Sequence, residues 1–219
     1  MPLKIIKNIS ISEKIAVWEI TEQEAELLSP LKLTNNEKKI LTGFGNKTRR
    51  LQWLAIRNLL KMFHPSGILE YSLTGKPYLA DNMENISVSH TGKYAAISLN
   101  KSGATGIDIE AINNRILKIE GRFVNEMEKN YLTTEMRVEQ LCMIWSAKEV
   151  LFKMSEWIPM GQDTPGISFK ENFFVKSFVL GDKGELETEV NRKNVKSIIR
   201  MEFLKFDNHI LVYSKNSEL

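Results

Sequence analysis

The segment from residue 85 to residue 112 contains three stretches in which apolar and polar residues alternate, and this feature constrains the fold most. The stretches are NISVSH (85–90), KYAAISLN (93–100) and TGIDIEAI (105–112). Alternation with a period of two is typical of strands, and Thr-Gly and Lys-Ser-Gly turns separate the three stretches. The segment predicts an antiparallel meander. Together with the helical patterns elsewhere, it indicates an α+β fold.

Helical patterns flank this segment. Thr21 with Glu24, and Thr34 with Glu37, resemble capping boxes, which begin helices by satisfying free backbone N–H groups. A strand is predicted at 14–20 and a longer helix at 47–62, where apolar residues recur at helical spacing. Its predicted apolar face consists of Leu51, Leu54, Ala55, Leu59 and Met62.

The basic residues of the predicted helix at 47–62 are Arg49, Arg50, Arg57 and Lys61. Charged residues off the apolar face are typical of a solvated helix surface. They also suit a basic fringe that binds an anionic ligand. The sequence leaves both interpretations open.

Composition limits the class of protein. The 219 residues are 42% hydrophobic and 26% charged, which is ordinary for a globular protein of one large or two small domains. No stretch of about 18 apolar residues occurs, so no membrane association is expected and a cytoplasmic location is the default. The single Cys142 excludes an intrachain disulfide, and three scattered histidines argue against zinc. A net charge of +3 is too small to indicate nucleic-acid binding.

Two acidic residues, Asp108 and Glu110, lie in the third alternating stretch. Since Ile107 and Ile109 face one side of the strand, both carboxylates face the other, with their positions about 6.6 Å apart. At that separation they can converge on one cation. A solvated strand edge explains the same pattern equally well.

The stretch LCMIWSAKEVLFKM (141–154) predicts a helix that is apolar nearly all round and therefore largely buried. Glu149 falls on its apolar stripe, where an unpaired carboxylate is costly to bury. One solution is an ion pair with Lys153, one helical turn further on. The other is a divalent cation shared with Asp108 and Glu110, an all-oxygen set that suits Mg²⁺.

Several basic and polar residues suggest a phosphate ligand. They are Lys148 and Lys153 on the helix, Ser89 and His90 at the end of a predicted strand, and Lys76 in a Gly-Lys-Pro turn. Mg²⁺ with cationic groups is the combination that a pyrophosphate requires, although His90 alone also suits a structural role. No GxxxxGK[ST], GxGxxG or GxSxG motif occurs, so nucleotide-triphosphate, dinucleotide and serine-hydrolase sites are not expected.

Five sequence blocks stand in a specific order between residues 75 and 153. They are GKP (75–77), ISVSHT (86–91), GIDIE (106–110), RFVNEMEKNYL (122–132) and WSAKEVLFK (145–153). In this order and spacing they resemble the 4'-phosphopantetheinyl transferases, and more narrowly the Sfp-type, monomeric branch of that superfamily. Single blocks would be weak matches, whereas five in order are specific.

The resemblance implies transfer of the 4'-phosphopantetheine arm from coenzyme A to a serine of an apo carrier protein, with Mg²⁺ as cofactor. Adenosine 3',5'-bisphosphate is released. Carried over by motif, the metal set is Asp108, Glu110 and Glu149, and the catalytic set is Glu149, Lys148 and Glu128. Either Glu149 or Glu128 would help to remove the serine proton, directly or through a metal-bound water.

The resemblance also implies which residues bind coenzyme A. Lys153 and His90 would hold the pyrophosphate. Ser89 and Lys76, with the adjacent Pro77, would hold the 3'-phosphate end. One or both of Arg49 and Arg50 would join that phosphate group.

The fold that the resemblance implies has two similar α/β halves in pseudo-twofold arrangement, with the active site in the cleft between them. We expect residues 1–104 and 105–219 to form the halves, and we expect a monomer. The expected partner is an acidic apo carrier protein of the acyl, polyketide or peptidyl kind, which suits a mildly basic enzyme.

Two departures from the family pattern are visible. Thr91 replaces a second serine and keeps the hydroxyl. Residues 154–169, MSEWIPMGQDTPGISF, contain Trp157, Pro159 and Pro165 where the family commonly has a loop rich in Lys and Gly. We therefore expect a changed surface for the carrier or for the pantetheine arm, and unchanged chemistry.

Two other functions compete with the transferase. One is a non-catalytic module of the same fold that binds coenzyme A or a carrier protein, against which the intact Asp108, Glu110, Lys148 and Glu149 argue. The other is an unrelated Mg²⁺-dependent phosphoester hydrolase. It would explain the acids but not the ordered blocks around them.

Overall fold

The computed structural model describes residues 2–155, 166–192 and 195–215 of the chain. They belong to two compact units, Met1–Ser102 and Gly103–Leu219, so the division lies two residues before the boundary expected at residue 104. Trp157, Pro159 and Pro165 lie outside the described residues. Over the described ranges, no helix has both the length and the apolar character needed to cross a bilayer.

The first unit combines an antiparallel sheet, a small hairpin and helices. Its elements are β1 (Leu3–Asn8), β2 (Glu13–Glu19), α1 (Glu24–Leu28), α2 (Asn35–Gly43), α3 (Lys47–Phe63), β3 (Leu69–Tyr71), β4 (Pro77–Leu79), β5 (Asn85–Thr91) and β6 (Tyr94–Asn100). The sheet has the strand order β1-β2-β6-β5, and β3 pairs with β4. The strand predicted at 14–20 and the helix predicted at 47–62 are therefore confirmed.

The two predicted capping boxes have different outcomes. Thr34 caps α2, and its hydroxyl accepts a hydrogen bond from Glu37 N while the Glu37 carboxylate accepts one from Thr34 N, as predicted. The box at Thr21 is wrong, because Gln23 caps α1 and its N–H donates to Glu26 at 2.7 Å. The Thr21 N–H donates instead to the side chain of Glu22.

Helix α3 packs on the first sheet with a wider buried surface than predicted. Leu54, Ala55 and Leu59 are fully buried, but Met62 is 47% exposed, so its predicted place on the apolar face is wrong. Arg57 is only 5% exposed, and it lies over the Trp53 ring and donates to the Glu37 carboxylate at 2.8 Å. Arg57 therefore belongs neither to a solvated surface nor to an open basic fringe.

The second unit is built around one long helix and an antiparallel sheet. Its elements are β7 (Ile107–Ala111), a 3-10 helix (Asn114–Lys118), α4 (Glu120–Phe123), α5 (Glu126–Lys129), α6 (Arg137–Met154), α7 (Phe169–Asn172), β8 (Phe173–Val175), β9 (Lys183–Arg192), β10 (Val195–Phe206) and β11 (His209–Ser214). The strand order is β7-β11-β10-β9-β8. Helix α6 is buried along most of its length, as its apolar sequence predicted.

The predicted three-stranded meander is wrong at its third strand. Strands β5 and β6 form a hairpin, but β7 pairs with β11 in the sheet of the second unit. A strand has only two edges for hydrogen bonding, and both edges of β6 are occupied, by β5 and β2. No edge of β6 remains for β7, so this strand begins a new sheet.

Candidate functional site

Strand β7 and helix α6 approach each other closely at Gly106. A Cβ atom at this position would lie 2.8 Å from Val150 Cγ1 and 2.9 Å from the Val150 carbonyl oxygen. Asp108 follows two residues later, so it faces the same side of the strand, and it is only 4% exposed. The alternative of a solvated strand edge is therefore wrong for Asp108, which lies under α6.

Replacing Gly106 by Ala is expected to lower the free energy of unfolding by about 2 kcal/mol, because the new methyl group would push α6 away from β7. Chemical denaturation measures this change. Gly103→Ala is the matched control, since a Cβ at Gly103 meets no atom within 4 Å. Equal stability of the two variants would contradict the close contact.

Lys153 connects α6 to β7. Its ammonium group donates to Asp108 Oδ1 at 2.9 Å and to the Ile107 carbonyl oxygen at 2.8 Å. Lys153 thus pairs with Asp108 of the strand, and not with Glu149 of its own helix as one interpretation of the sequence had it. The reason is that α6 places Lys153 above β7. The Lys153 ammonium group, which was predicted to bind a phosphate, therefore also neutralises Asp108.

Glu110 and Glu149 share the electrostatic environment of Asp108. Burial, followed by the charge of Asp108, raises the pKa of Glu110 to about 7, and a hydrogen bond from the Trp145 indole opposes the rise. The indole Nε1 lies 3.3 Å from Glu110 Oε1. Burial and the Asp108 charge also raise the pKa of Glu149. The second unit therefore brings Asp108, Glu110, Glu149 and Lys153 into one coupled group.

The raised pKa of Glu110 predicts a pH-dependent stability in metal-free buffer. The folded protein holds the Glu110 proton more tightly than the unfolded chain does, so the free energy of unfolding falls as pH rises. From an ordinary 4.5 to about 7, the loss amounts to about 3 kcal/mol and is complete above pH 7. Urea denaturation at pH 5 and pH 8 in EDTA checks this. Glu110→Gln should remove most of the difference in the free energy of unfolding between pH 5 and pH 8. If the variant kept the full pH dependence of the unmodified protein, Glu110 would not be its source.

The donor set of this group suits Mg²⁺. Within residues 2–155, 166–192 and 195–215, no three His, Cys, Asp or Glu side chains form a ready-made metal cage. Mg²⁺ does not need one, because it is usually held by one or two carboxylates together with waters and substrate phosphates. The mutual repulsion of these carboxylates favours a cation, and all of their donor atoms are oxygen. The residues therefore fit the metal that the resemblance implies.

Lys148 and Glu128 form an ion pair in the interior of the second unit. Both side chains are 0% exposed, and Lys148 Nζ lies 2.8 Å from Glu128 Oε2. Lys148 also donates to the carbonyl oxygens of Phe123 and Phe169, at 2.6 and 3.0 Å. All three of its N–H donors are thus used. Burial lowers the pKa of Lys148, while the Glu128 charge opposes this.

Both carboxylate oxygens of Glu128 also accept hydrogen bonds. Its Oε1 accepts from Val175 N at 2.8 Å, and its Oε2 accepts from Asn125 N at 3.0 Å as well as from Lys148. Buried and fully bonded side chains do not touch a ligand that approaches from solvent. The direct catalytic role that motif comparison gave to both residues stays a prediction, and their geometry points to a different one.

Four of the predicted coenzyme A residues of the first unit lie in the β3–β4 and β5–β6 hairpins. Gly75, at a φ of +83°, lies in the turn before half-buried Lys76, and half-buried Pro77 begins β4. Half-buried Ser89 and His90 lie near the end of β5, opposite Ala96 and Ala95 of β6. Adjacent strand residues point to opposite faces, so Ser89 and His90 lie on different faces of the sheet.

Arg49 and Arg50 differ in their surroundings. Arg50 donates to the Glu24 carboxylate at 2.9 Å and to the Phe44 carbonyl oxygen at 2.9 Å. The Arg49 guanidinium lies 5.7 Å from the centre of the Phe44 ring. In the part of the chain that the structure describes, Arg49 makes no ion pair. Of the two, Arg49 is the one with a guanidinium available for an anion.

Two structural residues of the site were not identified from the sequence. Trp145 is the first residue of WSAKE and contacts Glu110, but the pattern of residues 141–154 predicted only an apolar helix position for it. Gly106 begins GIDIE, and a glycine inside a strand pattern, two residues before Asp108, is the signal that could have indicated a close backbone contact.

Comparisons with known proteins bear on the family of the chain. A family model described as the 4'-phosphopantetheinyl transferase superfamily matches residues 104–213, half of the chain. The chain is also similar to a protein of Synechocystis sp. (strain ATCC 27184 / PCC 6803 / Kazusa) that is provisionally named a 4'-phosphopantetheinyl transferase. The two are 31% identical over 91 residues. This match covers 38% of the chain and 37% of the relative's length.

Proposed function

Because the chain belongs to the 4'-phosphopantetheinyl transferase superfamily, we propose that it transfers the phosphopantetheine arm of coenzyme A to a serine of an apo carrier protein. The observation that carries this proposal is the coupled group under α6. There the charge of Asp108 adds to burial in raising the pKa of Glu110 and of Glu149, and Lys153 pairs with Asp108. Mg²⁺ held by these carboxylates would neutralise the charge on the pyrophosphate during transfer.

The proposed reaction is a phosphoryl-group displacement. The serine oxygen forms a bond to the phosphorus that carries pantetheine, and the bond from that phosphorus to the bridging oxygen breaks. Adenosine 3',5'-bisphosphate leaves with the bridging oxygen. Of the two candidate proton acceptors, Glu149 is favoured, because its raised pKa suits proton transfer and Glu128 is fully buried with both oxygens bonded.

Cationic residues complete the proposal. Lys153, 24% exposed at its side chain, would hold the pyrophosphate with His90. Ser89, Lys76 and Pro77 would contact the 3'-phosphate end of coenzyme A, and Arg49 would join them. The two related halves with a cleft between them, the monomeric state and the acidic carrier partner are parts of the same proposal.

Arg49 and Arg50 give a test of the 3'-phosphate assignment. Arg49→Ala is expected to raise the KM for coenzyme A about tenfold, because a charge-assisted contact with phosphate is lost. With dephospho-coenzyme A, which lacks the 3'-phosphate, the same variant should behave like the unmodified protein.

The matched control for this test is Arg50→Ala, which removes a guanidinium already bonded to Glu24. It should lower thermal stability slightly and leave the KM ratio of the two coenzymes unchanged. If Arg50→Ala alone changed that ratio, the assignment to Arg49 would be wrong.

The function itself is tested by mass spectrometry of the carrier. The protein is incubated with coenzyme A, MgCl₂ and each of several apo carrier proteins, and a gain of one phosphopantetheine mass per carrier is expected. EDTA should prevent the gain. Absence of any gain across acyl, polyketide and peptidyl carriers would overturn the proposal. Breakdown of coenzyme A without carrier modification would instead identify a hydrolase.

A further inference from the structure

Trp145 contacts both an acid of the candidate metal group and the interior of the second unit. Its indole N–H donates to Glu110 Oε1 at 3.3 Å. Its ring packs edge-on against Phe123, with ring centres 5.2 Å apart and planes at 70°. On another side it packs on Phe169, with ring centres 5.4 Å apart. The direction of its N–H bond is thus set by two neighbouring rings.

The same two phenylalanines are tied to Lys148. Lys148 donates to the carbonyl oxygens of Phe123 and Phe169, which belong to separate short helices, and its charge is balanced by Glu128. On α6, Lys148 lies three residues after Trp145, so both point to the same side of the helix. The buried ammonium therefore holds in place the backbone segments whose rings clamp Trp145.

These contacts form a continuous chain from the buried ion pair to Glu110. Glu128 binds Lys148, Lys148 binds the carbonyl groups of Phe123 and Phe169, their rings enclose Trp145, and Trp145 donates to Glu110. Every link is a side-chain or backbone contact within the second unit. A carboxylate that ligates a metal is commonly oriented by such a hydrogen bond, and its loss weakens metal binding about 10–100-fold.

We propose that Trp145 is a positioning residue for Mg²⁺ binding, which orients the Glu110 carboxylate through its indole N–H, and that the Lys148–Glu128 pair holds Trp145 in place. Without the indole donor, the Glu110 carboxylate is free to rotate away from the direction of the cation. Trp145 itself touches neither substrate nor metal. The inference rests on the proposed Mg²⁺ site and adds to it a specific residue that orients a ligand.

The test compares two variants that each lose an indole donor. Trp145→Phe keeps a ring between Phe123 and Phe169 but removes the N–H. Trp18→Phe is the matched control, because Trp18 Nε1 donates to Glu22 Oε2 at the same 3.3 Å but belongs to the unit without these acids. Mg²⁺ is titrated calorimetrically with coenzyme A present and carrier protein absent.

We expect Mg²⁺ to bind about tenfold more weakly to Trp145→Phe and equally well to Trp18→Phe, while the free energy of unfolding of Trp145→Phe changes little. Unchanged Mg²⁺ affinity of folded Trp145→Phe would overturn the inference and leave the proposed function standing. Equal weakening of both variants would also overturn it. Failure of the unmodified protein to bind Mg²⁺ would overturn the proposed metal site itself.

A measurement on the unmodified protein covers the case in which Trp145→Phe does not fold. The chain has four tryptophans, so its ¹⁵N-labelled form gives four indole N–H signals in the NMR spectrum. The Trp145 signal is expected to move when Mg²⁺ is added, and Glu110→Gln should remove this movement. A Trp145 signal that stays in place on Mg²⁺ binding would overturn the inference.

Discussion

Glu149→Gln is expected to lower kcat/KM for phosphopantetheine transfer about 1,000-fold, because the amide can neither accept the serine proton nor offer a charged oxygen to Mg²⁺. The fold should remain intact. Burial and the Asp108 charge raise the pKa of Glu149, so the charged carboxylate is unfavourable in the metal-free protein. At pH 8 without metal, the variant should therefore be at least as stable as the unmodified protein.

The measurement combines transfer rates from carrier mass with thermal unfolding. Glu139→Gln is the matched control on the same helix, since Glu139 pairs with Lys205 and lies ten residues, about 15 Å of helix, before Glu149. It should keep the unmodified rate of transfer. If Glu149→Gln transferred at a rate near that of the unmodified protein, Glu149 would be neither the proton acceptor nor a metal ligand.

Lys148→Met is expected to lower the free energy of unfolding by about 3–5 kcal/mol, because it leaves the Glu128 carboxylate buried without its cation. The double variant Lys148→Met with Glu128→Gln carries no buried charge and should recover part of this loss. Such non-additivity is the signature of a direct pair. Chemical denaturation of the two single variants and the double variant measures it.

Lys129→Met supplies the control, since Lys129 pairs with Glu126 at the surface of α5, with both side chains largely exposed. Its loss should cost less than about 1 kcal/mol. The stability and transfer rate of Lys148→Met together also distinguish two roles for Lys148. A stable Lys148→Met variant that loses only transfer would support direct action on the substrate and contradict the positioning role.

Patterns that depend on neighbouring residues were predicted well. The Thr34 cap, the helix at 47–62 and the burial of α6 follow from hydrogen bonds and periodicities that span a few residues. The same reasoning placed Asp108 and Glu110 on one face of a strand. It failed for the cap of α1, where Gln23, a weaker capping residue, was used in place of Thr21.

Contacts between distant residues could not be predicted in this way. Arg57 was interpreted as part of a basic surface, but it is buried and α2 brings the half-buried Glu37 to it. Lys148 and Glu128 were given catalytic roles, but three distant backbone partners and their mutual ion pair surround them. Such partners come from elements separated by about twenty residues or more, for which spacing along the chain carries no information.

The sequence by itself determined the α+β class, the acids available for a metal and the family resemblance, because these depend on residue type, order and short-range periodicity. Only the tertiary structure decided that β7 pairs with β11, that Lys153 neutralises Asp108 and that Trp145 donates to Glu110. The physical reason is that a strand edge, a cation and a hydrogen-bond donor each choose among all partners that the folded chain brings within reach.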